Sequence, residues 1–468
     1  MTIDYGTGVS GRNGDGNARS SVDPNADPIN AKKAAKAAFF GSLLEYYDFY
    51  IFASAAALVF PHVFFEGSKN PLLLSLATFG ISYVARPIGA VFVGHFGDRA
   101  GRKKVMMFCL VLMGVVTFLI GCLPSSETAG MVGPALLVLL RICQGISAAG
   151  EQSGAGSLTL EHSPAHRRGF FCSWTLTGTQ AGFIVASLAF IPVASLPDET
   201  LYSWGWRVPF WCSLLVLVVA YIVRRKLEEP EIFIANKEAL DETPAPLPVV
   251  DLFRTHWRDV LRVVFCAFIA VVSTVFSVFG LAYATTPDIG MSRTTMLWVA
   301  IAANCVALIS QPLLGILSDR IGRKPVFIGG AIGSAAGIFL YFSAIGTGNV
   351  TLIFLAGILL MGGVYAGTNA IWPAFYAEMF SSRVRYSGMA IGTQLGFALA
   401  GFAPTIAQAL RGADPKNWVP VAIFTAMCAL VAAASASTAK ENSRTPLLDL
   451  DKEDVALTKA KAKANAKV

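Results

Sequence analysis

The chain has 468 residues, of which 54% are apolar and only 14% carry charge, too few charges to solvate a soluble protein of this length. A formal net charge of +7 does not mark a nucleic-acid binder here, because the basic residues sit in short loops beside apolar runs, where they set membrane orientation. The eight cysteines (Cys109, Cys122, Cys143, Cys172, Cys212, Cys266, Cys305 and Cys428) all fall in or beside apolar runs with no pair at metal-ligand spacing, so they read as reduced packing residues and no metal site is expected.

Residues 1–34 are rich in Gly, Asn, Asp and Ser and have no apolar core, so they read as a disordered tail rather than a cleaved targeting peptide. Between 35 and 226, apolar stretches centre near residues 50, 83, 113, 145, 181 and 215. Each runs to about 20 residues, the length a helix needs to cross roughly 30 Å of hydrocarbon. Residues 227–257, with Glu228-Glu229-Pro230 and the Pro-rich run from Thr243 to Pro248, exclude a span and suit a linker. A second set follows between 258 and 439, centred near 270, 305, 335, 362, 397 and 427. Residues 440–468 are charged and Ala-rich and lack sustained apolar heptads, so they form a second tail. The expected fold is an all-α integral membrane protein of six plus six crossings.

Two motifs recur in the same order. Asp98-Arg99-Ala100-Gly101-Arg102-Lys103 returns as Asp319-Arg320-Ile321-Gly322-Arg323-Lys324, each with a Gly four residues earlier, Gly94 and Gly315. Glu161 is followed seven residues on by Arg168, and Glu378 seven on by Arg385. This is an internal duplication. The loops carrying these motifs hold most of the loop Lys and Arg, while the opposite loops hold only Lys69, Arg293, Arg411 and Lys416, so the motif side is expected to be cytoplasmic, with both tails and the linker.

A charge at the centre of a membrane helix costs about 2.5–3.5 kcal/mol on insertion scales, so it must face a cavity, find a partner or change protonation. Glu45 and Asp48 stand three apart on one face of the first helix, and their mutual repulsion suits one of them to carry a proton. In the fourth helix Arg141, Gln144, Glu151 and Gln152 fall within an arc of roughly 100°, a polar stripe expected to face a central cavity. Arg86 precedes Pro87 in the second helix and can meet a substrate carboxylate, a first-helix acid, or carbonyls freed by the proline. The polar load of the second half is uncharged: Ser273, Thr274, Ser277 and Tyr283 in the seventh helix, with Tyr365, Thr368, Asn369, Trp372 and Tyr376 in the tenth. No His or Cys cluster and no phosphate-cradling loop is present, which argues against an enzyme.

Four stretches carry a resemblance: Glu45-Tyr46-Tyr47-Asp48-Phe49, the loop from Gly94 to Lys103, Arg141-Ile142-Cys143-Gln144-Gly145 with Gly150-Glu151, and Ser203-Trp204-Gly205-Trp206-Arg207-Val208-Pro209-Phe210. From about residue 35 to about 440 the chain resembles the metabolite:proton symporter branch of the major facilitator superfamily. The resemblance implies two pseudo-symmetric six-helix bundles with substrate between them at the midplane, in a bacterial inner membrane, acting as a monomer without a cofactor. It implies import of a small organic acid such as shikimate with protons; a zwitterionic osmolyte, or passive passage through a uniporter or channel, are the alternatives. Asp48 would pair with Arg141 for coupling, with Glu45 and Glu151 nearby. Substrate would meet Arg86, Arg141, Gln144, Gln152, Tyr47, Tyr283, Tyr365, Asn369 and Trp372. A latch would set Asp98 against a helix N-terminus and Arg102 against Glu161, beside Arg168, with Asp319, Arg323, Glu378 and Arg385 as the second-half equivalents. The sequence departs from the branch at Ala149-Gly150-Glu151-Gln152, often Gly-Gly-Glu-Trp, and at Tyr46, often Trp, which leaves the particular acid open.

Overall fold

The computed structural model describes residues 28–100, 102–218, 252, 256–412, 414–447 and 449, so the expected first tail, most of the linker and the end of the second tail lie outside the described residues. Side chains are described except at 28–30, 90–106, 150–155, 158 and 382–383.

Every expected crossing is helical. The first five segments are Pro28–Leu58, Pro71–Ala100, Arg102–Gly121, Val132–Ser147 continued by Glu151–His162, and Arg168–Ala194. The sixth winds from Leu201 to the last described residue, 218. The second set comprises Trp257–Ala284, Arg293–Ile321, Arg323–Thr347, Val350–Ala377, Ser382–Arg411 and Val419–Thr438. Their runs are apolar all round, and in lipid a helix is the form that satisfies every backbone group within its own segment. Polar punctuation ends them: Ser292 and Asn349 accept backbone N–H bonds at the starts of the eighth segment and the tenth. Gly322, inside the second hexapeptide, takes φ +102°, which explains why that loop needs glycine.

The two halves meet along two matched seams, the fifth segment against the eighth and the second against the eleventh. The repeat exchanges these seams, as a two-fold relation requires. Small residues make the approach possible: a Cβ on Gly315 would sit 2.9 Å from the carbonyl oxygen of Gly169 across the first seam.

Among the described residues, three helices depart from α geometry near the middle of the molecule. The fourth passes through a 3₁₀ turn at Ala148–Gly150, the seventh through a π turn at Val275–Phe279, and the tenth through a π stretch at Ile358–Tyr365. Such turns re-aim side chains and cluster at functional sites.

Candidate functional site

Between the halves lies a cavity of about 60 Å³, room for roughly four to six waters at about 10–15 Å³ each. Tyr46, Phe49 and Tyr50 line it from the first segment, Phe79 and Tyr83 from the second, and Thr179 and Gln180 from the fifth. The second half contributes Ser273, Thr274 and Ser277 beside the π turn of the seventh segment, and Tyr365, Asn369, Trp372 and Tyr376 from the tenth. The lining is aromatic and neutral, without a charged side chain among the described residues. Three expected substrate residues, Tyr365, Asn369 and Trp372, are therefore on this surface.

The charges stand behind the aromatic wall. On the first segment Glu45 and Asp48 lie about 120° around the helix from the mean direction of Tyr46, Phe49 and Tyr50. Arg86, 1% exposed, places a nitrogen 3.8 Å from Glu45 and its guanidinium 4.4 Å from the Phe49 ring centre and 4.6 Å from that of Tyr83. Of the alternatives for Arg86, the first-helix acid is the one it meets. Arg141, 0% exposed, donates to Gln144 and, at 3.4 Å, to the Phe79 carbonyl, with its guanidinium 3.9 Å from the Phe52 ring centre and 4.7 Å from that of Phe49.

Asp48 does not form the expected direct pair with Arg141. It is 4% exposed and lines a smaller pocket of about 20 Å³ inside the first half, with Glu45, Met113 and Ser147. Between the two groups lies a polar path: Arg141 donates to Gln144, Gln144 donates at 3.0 Å to the Thr117 hydroxyl, and Thr117 stands beside Asp48. The expected cavity-facing stripe of the fourth helix is also revised. Arg141 and Gln144 turn into the first half, and the 3₁₀ turn breaks the 100° phase by which Glu151 and Gln152 were placed. The side chains of Glu151 and Gln152 lie outside the described residues. Tyr47 donates at 3.3 Å to the Pro209 carbonyl and Tyr283 at 3.5 Å to that of Lys416, so neither hydroxyl is turned to the cavity.

Tyr46, Phe49, Tyr50, Thr179 and Gln180 line the cavity without having been singled out as substrate residues. The i, i+3, i+4 spacing of the first three was a readable signal that they share a face.

Both mouths are bridged. At the motif end Asp319 accepts from the backbone N–H of Gly169 at 2.8 Å and of Phe170 at 3.0 Å, across the seam at the N-terminus of the fifth segment, where a helix favours an anion. Arg323, 0% exposed, donates to Asp319 at 2.7 Å and to both oxygens of Glu378 at 3.3 Å. Arg385 reaches across to Glu161 at 3.1 Å, and Arg168 donates to the Thr445 carbonyl at 2.9 Å. The side chains of Asp98 and Arg102, the first-half equivalents, lie outside the described residues. At the opposite end Arg293 bridges Asp198 at 2.7 Å and Tyr202 at 2.8 Å.

Comparison with known proteins agrees with this architecture. The sequence profile of the family described as "Sugar (and other) transporter" matches residues 34–247 and again 236–447. The shikimate transporter of Escherichia coli is 32% identical over 423 residues, 88% of this chain and 95% of that protein. The E. coli inner membrane metabolite transport protein YhjE is 36% identical over 82% of this chain and 89% of its own length, and the proline/betaine transporter of Salmonella typhimurium 30% over 90% and 86%. Among solved structures, the proton:xylose symporter XylE of E. coli superposes with a TM-score of 0.69 at 19% identity over 91% of this chain and 99% of its own.

Proposed function

Because this chain belongs to the sugar (and other) transporter family of the major facilitator superfamily, and is thus a multi-pass membrane transporter rather than an enzyme, we propose that it is a proton-coupled symporter. It imports a small organic acid such as shikimate across a bacterial inner membrane, with both tails in the cytoplasm. Residues 35–226 and 258–439 form the halves that rock about the cavity, and residues 227–257 tether them.

The observation that carries this reading is Asp48: a buried carboxyl in a membrane helix, one of whose oxygens makes no hydrogen bond among the described residues, standing beside Thr117 at the far end of a polar path from Arg141 through Gln144. Thr117 has one hydroxyl proton, and the Met113 carbonyl stands at 2.9 Å to accept it. A protonated Asp48 can then donate to the Thr117 oxygen, whereas a carboxylate would be left poorly paired. In this closed-at-both-ends conformation Asp48 holds the transported proton. When the halves rock toward the cytoplasm, Arg141 leaves Phe52 and Gln144 for Asp48 and expels it. Glu45 and Glu151 flank this step. The Asp319, Arg323 and Glu378 cluster, with Glu161 and Arg385, is the latch that must open for inward release, and Asp98 and Arg102 supply its first-half counterpart.

A second reading rests on the lining itself. A neutral aromatic surface suits the quaternary ammonium of a betaine-type zwitterion, held on ring faces by cation–π attraction. Proteoliposome uptake of radiolabelled shikimate, quinate, proline and betaine under an imposed pH step tests both. Accumulation of an organic acid supports the first reading, accumulation of betaine the second, and uptake indifferent to the pH step sinks both.

A further inference from the structure

We infer that the ring of Phe49 is the positioning element through which substrate in the cavity acts on the buried charge network; this rests on the proton-coupled reading of the site. Among the described residues, Phe49 is the one whose ring both lines the cavity and carries two guanidiniums on it, Arg86 at 4.4 Å and Arg141 at 4.7 Å from the ring centre. It is 2% exposed and stands next in sequence to Asp48. Both arginines are under-served by ordinary hydrogen bonds: Nε and Nη2 of Arg86 and Nε of Arg141 make none among the described residues. Their charge is held instead on ring faces, an attraction that strengthens when water is excluded. Tyr83 shares Arg86, and Phe52 and Phe79 share Arg141, but among the described residues Phe49 alone joins the two.

A molecule pressing on the cavity edge of this ring must therefore tilt it. A tilt weakens its hold on both guanidiniums together and frees Arg141 to turn along the Gln144–Thr117 chain toward Asp48. Substrate need never touch a charge to trigger proton release. The neutral lining, puzzling for a coupled transporter, is what such an arrangement requires.

The test compares Phe49→Leu, which keeps apolar bulk and removes the ring face, with Phe49→Tyr, which restores it. Each is reconstituted beside wild type, with tritiated shikimate and tritiated betaine as probes. Equilibrium exchange at equal pH is read first, then accumulation driven by a pH step and its profile from pH 5 to 8. Whatever Phe49→Leu does to exchange as a lining residue, its accumulation should fall at least tenfold further than its exchange, with a flattened pH profile, and Phe49→Tyr should restore the ratio of accumulation to exchange and the profile. Equal loss of exchange and accumulation in Phe49→Leu would reduce Phe49 to a packing or lining residue. Undiminished accumulation would remove it from coupling altogether. Wild type that accumulates neither probe under the pH step would overturn the coupled reading, and the inference with it.

Discussion

Asp319→Asn should unlatch the motif end without disturbing the cavity. The carboxylate accepts three charge-assisted bonds, from Gly169 N–H at 2.8 Å, Phe170 N–H at 3.0 Å and Arg323 at 2.7 Å, and its side chain is only 6% exposed. An amide keeps the shape but presents an NH₂ to one of these donors and leaves the Arg323 charge leaning on Glu378 alone. Hydrogen bonds to charged groups contribute about 1.5–3 kcal/mol each. Because the amide oxygen keeps the two partners of Oδ1, Gly169 N–H and Arg323, without the negative charge that strengthened them, and the NH₂ now faces the Phe170 N–H, the loss should be about 3 kcal/mol. At 1.36 kcal/mol per decade this shifts the balance of closed to open at that end by roughly a hundredfold. The assay is reaction of membrane-impermeant maleimide with a single cysteine placed at Ser157, which packs against Met389 at 3.3 Å just inside this mouth, in a background without the native cysteines. Labelling should become many-fold faster from the motif side, and Glu378→Gln should act in the same direction. Unchanged labelling in both variants would refute the latch.

The other predictions are read in the same vesicles or by hydrogen exchange. Asp48→Asn should abolish uphill accumulation yet keep exchange; a proton carried with a carboxylate moves no net charge, so the pH step is the driving force, about 1.36 kcal/mol or roughly tenfold accumulation per pH unit, and its loss is large enough to measure by simple uptake. Arg293→Gln should change uptake by less than about threefold, because the Asp198 carboxylate it bridges is 66% exposed and solvent screens such pairs. Burial alone would raise Glu441, but the backbone N–H groups of Lys324 and Arg323, donating at 2.9 and 3.1 Å, outweigh it and hold the carboxyl below its ordinary value of 4.5. A depressed acid stabilises the folded state above its unfolded value and loses that contribution as pH falls through the folded one. Amide protection at Arg323 and Lys324 should therefore persist from pH 8 to 5 and fail only below about 4.5, while Glu441→Gln should expose them throughout.

The positions of the crossings were legible because apolar length is the condition for spanning lipid, and each expected centre falls within a helix. Duplication located the residues of the proposed latch. It could not say that Arg385 of the second copy meets Glu161 of the first, since a repeat written along one chain carries no information about which copies touch. Asp48 and Arg141 were recognisable as buried charges from sequence, but their separation was not. Periodicity fixes the face a residue occupies on its own helix and leaves open which neighbour that face meets, and Arg141 found aromatic faces in Phe52 and Phe49 first. The 3₁₀ turn at Ala148–Gly150 left no clear mark in a run of small residues, so nothing in the sequence signalled that helical phase changes before Glu151. Tyr47 misled through its place in the motif, although its spacing sets it off the face that Tyr46, Phe49 and Tyr50 share.

The central claim is that a proton crosses with each substrate, and it is tested most directly by recording internal pH with a trapped dye while tritiated shikimate, or betaine, enters proteoliposomes of the wild-type protein with no imposed gradient. Symport predicts internal acidification in step with uptake, absent in Asp48→Asn. Uptake at the wild-type rate with no pH change would contradict it.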